Sequence, residues 1–132
     1  MKSMIWMSAT ASVILCAAWA APALAQDAKA GKQVFMKCRA CHQIGPGAQN
    51  SVGPDLNGVV GRKAGSEPGY DYSDANKTSG ITWDVPTLTK YLKNPQALVP
   101  GTKMTFAGLS RPKDIANVIA YLQQFGPDGK EK

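Results

Sequence analysis

Residues 36–47 read MKCRACHQIGPG: two cysteines three positions apart, a histidine directly after the second, then a loop broken by glycine and proline. Three chemistries compete for Cys38, Cys41 and His42. A structural zinc needs four protein ligands, and beyond an N-terminal leader the chain offers two cysteines, one histidine and no second ligand cluster. A redox dithiol of the thioredoxin kind belongs at a strand-to-helix junction in a βαβ setting, which the flanking sequence lacks. Covalent haem attachment needs what is present. Two thiols spaced Cys-x-x-Cys reach the two vinyl groups on one edge of the macrocycle, and the adjacent histidine meets the iron from one face. The haem reading is favoured.

The length of the chain supports it. Of 132 residues, the first 25 read as a secretory signal: Lys2 is the positive start, an apolar stretch follows, and Ala23 and Ala25 supply the small residues before a cut. A retained membrane anchor is the alternative, but the stretch is diluted by serine, threonine and alanine and ends at that cleavage pattern. Cys16 follows bulky Leu15 and leaves with the signal. What remains, residues 26–132, is one small domain whose core alone would be marginal. It carries 14 basic and 9 acidic residues, a net +5. The lysines are spread rather than clustered, which argues against nucleic acid and for an acidic protein partner.

Along residues 26–132 the pattern predicts an all-α domain with long loops. A short helix leads into the cysteine motif, with Ala30, Val34 and Phe35 as its apolar stripe. Residues 43–80 are rich in Gly, Pro, Asn, Asp and Ser and predict loops with one or two helical turns. A run that long needs something to fold around, and a flat apolar haem supplies it. A second helix is predicted from Val85 to Lys93, capped by Asp84 and ended by Asn94-Pro95. The last runs from about Ser110 to Gln124, with Ile115, Val118, Ile119 and Leu122 at helical spacing and Gly126-Pro127 as its stop.

The second iron ligand follows by elimination. No other histidine exists, and Met1, Met4 and Met7 lie in the leader. Met36 is two residues before Cys38, on the histidine side. Met104, in a Pro-Gly loop where it would be a poor core filler, is far enough along to come round to the other face. A His42/Met104 pair leaves no open coordination position and raises the potential relative to two histidines. Such an iron gains and loses one electron and does little else.

The stretches GKQVFMKCRACH, VGPDLNGVVGRKAG, YDYSDANK, GITW and VPGTKMTFAG, in that order, resemble class I cytochrome c, the mitochondrial type and its soluble bacterial relatives, over essentially all of residues 26–132. The resemblance implies the small cytochrome c fold, with N- and C-terminal helices crossing and loops wrapped around one covalent haem c. It implies that the Pro54 carbonyl fixes the His42 ring, and that Arg62, Tyr72 and Trp83 bond the haem propionates. Asn76, Tyr91 and Thr102 would form a polar network behind Met104, and Phe106 would cover the haem beside its exposed edge. Gly31 and Phe35 would meet Val118 and Tyr121. Lys37 and Lys103 match a lysine ring that docks acidic partners, with Arg111 or Lys113 as substitutes near the last helix. Gln96, Ala97, Gln49 and Ser51 stand where that ring has lysines, so the ring is thinner here. The expectation is a monomeric, soluble, periplasmic one-electron carrier between larger redox complexes, without stable membrane insertion. The rivals are a small haem peroxidase, which needs an open iron and distal acid–base help, and a ligand-sensing haem protein, whose motif would sit near the C-terminus.

Overall fold

A computed structural model describes residues 26–132; the leader expected at residues 1–25 lies outside the described residues. Five helices follow in order: α1 (Ala28–Phe35), α2 (Asp74–Thr78), α3 (Val85–Lys93), α4 (Pro95–Leu98) and α5 (Pro112–Gln123). The all-α expectation holds. Among the described residues the extended pairings are isolated bridges, Lys63 with Thr82 and Phe125 with Glu131.

The pairing of α1 with α5 is the most extensive between helices, and the reason is local. The Asp27 side chain caps α1 by accepting from the Ala30 N–H at 3.0 Å, and its own N–H donates to buried Asn117 Oδ1 at 2.9 Å. Gly31 then lies on the Asn117 backbone carbonyl and on Tyr121 Cβ, and the Phe35 ring meets Tyr121 at 5.3 Å between centroids. Gly31 therefore meets Tyr121 as expected and the Asn117 backbone in addition. Val118 and Ile119, each 1 % exposed, centre the core with Phe35, Leu88, Leu92, Ile115 and Leu122.

Helix α3 has the predicted bounds: Asp84 accepts from the Thr87 N–H at 2.8 Å, the Thr87 side chain and then its N–H hold the Asp84 carboxyl below the usual carboxylate range, and Pro86 occupies the first turn. Asn94 does more than end α3. Its Oδ1 accepts from the Ala97 N–H at 3.2 Å, and Pro95 opens α4, so the Asn-Pro pair is both a stop and a start. Helix α5 begins two residues later than Ser110 predicts. Arg111 occupies the cap position without a side-chain bond, and Pro112, pre-set in φ and lacking an N–H, starts the helix.

The long loop segment is held by its own polar groups. Asn57, 7 % exposed, accepts from the Gly45 N–H at 2.8 Å and donates to the Gly45 carbonyl at 2.9 Å, doing the work of a missing backbone partner. Asn57→Ala leaves the buried Gly45 N–H unpaired, while the Gly45 carbonyl keeps the Ala48 N–H at 3.1 Å. With about 1–3 kcal/mol for such a group, we expect a loss of roughly 2 kcal/mol, read as a lower urea midpoint at unchanged slope.

Candidate cofactor site

Beyond α1 the chain continues in tight turns: the N–H groups of Cys38 and Arg39 bond Phe35 O, and those of Cys41 and His42 bond Cys38 O at 3.1 and 2.9 Å. Positions i, i+3 and i+4 of such a path share a face, and here they are Cys38, Cys41 and His42. All three line a cleft of about 410 Å³.

Neither rival for the thiols survives the geometry. The cysteines are free, and among the described residues no three His, Cys, Asp or Glu side chains converge to hold a metal ion. Burial, with help from Cys41, pushes the Cys38 thiol up to about 11 against the pull of Lys37. That burial works against the thiolate a redox nucleophile needs.

His42 is set for coordination. Its Nδ1 lies 2.8 Å from the Pro54 carbonyl. A carbonyl can only accept, so Nδ1 carries the proton and Nε2 keeps its lone pair. Burial holds the ring's pKa below its ordinary value, which favours the neutral form. Gly53 lies so close to the ring that a Cβ there would strike Nδ1 at 2.7 Å and Nε2 at 2.8 Å. Glycine is what lets the loop press on the imidazole.

Met104 sits in a closed set of three hydrogen bonds. The Tyr91 O–H donates to Met104 Sδ at 3.5 Å, the Met104 N–H donates to Thr102 Oγ1 at 3.3 Å, and Thr102 Oγ1 is 3.3 Å from the Tyr91 oxygen. With its own proton committed to sulfur, Tyr91 accepts from Thr102, so each donor is used once. Gln96 adds a brace that sequence reasoning missed: its Nε2 donates to the carbonyls of Thr102 and Met104 at 3.1 and 3.4 Å, and its Oε1 accepts from the Gly101 N–H at 3.4 Å. Where the resemblance implies a lysine, Gln96 holds the methionine loop instead.

Arg62, Tyr72, Asn76, Trp83 and Phe106 line the same cleft, as do Lys37 and Lys103 at its rim. The bridge near Lys63 and Thr82, with the Trp83 N–H on Arg62 O at 2.9 Å, brings Arg62 and Trp83 side by side. Asn76 is not bonded to Tyr91 or Thr102; its Oδ1 is buried without a protein partner. Lys103 is less free than expected of a docking lysine, because Asp71 holds its Nζ at 3.1 Å through the carboxylate and at 2.8 Å through the carbonyl. That contact keeps the Asp71 carboxyl below its usual range. Arg111 is likewise paired, with Asp114 at 2.9 and 3.0 Å.

A haem fits these residues. Leu56, Val59, Leu88 and Leu92 give the cleft apolar walls, and the thiols of Cys38 and Cys41 line it as well. Arg62 retains a buried Nε–H with no protein partner, a donor suited to a carboxylate in the cleft. Apolar walls, paired thiols, an imidazole with a free lone pair and a carboxylate-binding end define a covalent haem protein.

The comparisons give the family. The cytochrome c family model matches residues 28–126. Cytochrome c2 of Rhodoblastus acidophilus is 59 % identical over 107 residues, 81 % of this chain and 100 % of that one. Cytochrome c-554 of Methylosinus trichosporium is 52 % identical over 132 residues, the full length of both. Among solved structures, cytochrome c2 from Rhodospirillum centenum superposes with a TM-score of 0.73 at 38 % identity, covering 76 % of this chain and 99 % of that one. The chain belongs to the class I cytochromes c. It is an electron-carrier cytochrome with one covalently bound haem c.

Proposed function

We propose that the protein is a soluble periplasmic carrier that ligates its haem iron through His42 and Met104 and relays single electrons between larger redox complexes, photosynthetic or respiratory. The bonded ring of Tyr91, Thr102 and Met104 carries the ligand assignment. It orients a thioether beside the cleft and, with Gln96, leaves that loop little freedom to expose an iron to substrate. When bound, haem supplies the one-electron couple. The protein's part is to fix the His42 tautomer through Pro54, keep sulfur in place through Tyr91, and exclude water with apolar walls. Among the described residues no helix is long and apolar enough to cross a membrane. A leader at residues 1–25 would deliver the protein to the periplasm, where it would act as a monomer without stable membrane insertion.

Docking would use the cleft rim, where Lys37 and Lys103 stand beside the exposed edge, against an acidic face of a protein partner. Replacing both with glutamate should slow electron transfer to such a partner by at least about tenfold at low ionic strength. The loss should shrink as salt rises, because exposed charges are screened over ~10 Å at 0.1 M. Stopped-flow rates across a salt series make the test; a defect that ignores salt removes steering by this rim.

A further inference from the structure

Glu67 lies outside the cleft wall yet touches both of the polar side chains that reach its carboxylate-binding end. Its Oε2 takes Arg62 Nη1 at 2.7 Å, with the two side chains 15 % and 19 % exposed for Arg62 and Glu67. Its backbone N–H donates to the Tyr72 hydroxyl oxygen at 3.2 Å. Tyr72 therefore keeps its own proton to give away.

The donors of Arg62 are spent unevenly. Nη1 serves Asn57 O at 3.0 Å as well as Glu67, and Nη2 serves Asp55 O at 2.8 Å. What remains is the second Nη2 hydrogen and the buried, unpartnered Nε–H. Together these are one side of the guanidinium, the fork that meets a carboxylate with two parallel bonds. Glu67 and the two carbonyls thus fix which side of Arg62 is offered to the cleft.

The charge matters as much as the geometry. Reduction adds one negative charge at the iron, so a nearby cation favours the ferrous form and a nearby anion the ferric. With Glu67 at 2.7 Å, Arg62 presents a pair of almost no net charge rather than a cation. We propose that Glu67 is a positioning residue that orients Arg62 and Tyr72 and sets the reduction potential of the haem by cancelling the guanidinium charge. The proposal rests on the haem occupying this cleft and is independent of which partners the protein serves.

Spectroelectrochemical titration of the haem-loaded protein at low salt tests it. Glu67→Gln keeps an acceptor for Arg62 and the backbone N–H for Tyr72 but removes the charge. At a fixed applied potential its ferrous-to-ferric ratio should rise by on the order of threefold to tenfold, as expected for one charge lost from a partly buried site of intermediate dielectric. Arg62→Gln should lower the ratio, and the double variant should return close to the native value. A structural brace alone would weaken both oxidation states equally and leave the ratio unmoved, which overturns the proposal. If Glu67→Gln fails to mature, Glu67→Asp gives the reading. It retains the charge and should stay within about twofold of native; a larger shift means that reach, not charge, governs, and overturns the proposal too. Peroxidase turnover would sink the carrier reading without touching this measurement.

Discussion

Met104→Ala is expected to abolish the weak near-infrared charge-transfer band of the ferric protein and to let carbon monoxide bind the ferrous form at neutral pH. The reasons lie in what surrounds the sulfur. Tyr91 donates to Met104 Sδ, and Thr102 holds the Met104 N–H while bonding Tyr91. A thioether has a second lone pair for the iron, and no other described soft ligand lines the cleft apart from the two cysteines of the attachment motif. Alanine removes the ligand and leaves the ring's other members in place, so the loop keeps its backbone path. If the native iron opens ~1 % of the time, full opening strengthens apparent binding of an added ligand about a hundredfold. The potential should also fall, since the thioether is what favours the ferrous state. A variant that keeps the band would place the ligand elsewhere, and native protein that binds carbon monoxide freely would remove the closed iron from the account.

The same residues show which parts of the site can be read from sequence. Cys38, Cys41 and His42 stand out because covalent haem attachment demands that spacing, and Met104 is the proposed ligand because the chain has so few alternatives. Glu67, Asn57 and Gln96 do not, because each acts through a partner distant in space or hidden in a turn-rich segment without periodicity. Gln96 is a case in point. Compared with a lysine ring it reads as a loss, and the bonds it makes to Thr102, Met104 and Gly101 become visible once α4 turns it toward that loop. Helix α4 itself was hidden by the double use of Asn94-Pro95. Helices α1 and α3, by contrast, carry caps and apolar stripes within their own residues, so local chemistry was enough to place them.

Gly31→Ala sets two rules against each other. By helix propensity the change should help, by about 1 kcal/mol. By packing it should hurt, because the new Cβ would overlap the Asn117 carbonyl and lie 2.9 Å from Tyr121 Cβ. The obstacle at Asn117 is backbone, and the Asn117 side chain is itself pinned to the Asp27 N–H at 2.9 Å, so neither helix can yield without opening the α1–α5 contact. Overpacking of a tight site costs roughly 1–3 kcal/mol and more where backbone must move. We therefore expect packing to win, with a net loss of about 3 kcal/mol and a fall in Tm of about 15 °C for a domain of this size. Gln33→Ala, on the exposed side of α1, should be close to neutral and serves as the control. A Gly31→Ala protein as stable as the native one would mean that the two helices do not approach as closely as this carbonyl contact requires. The cleft that α1 and α5 help to wall, through Phe35, Val118 and Leu122, would then owe its shape to the loops instead.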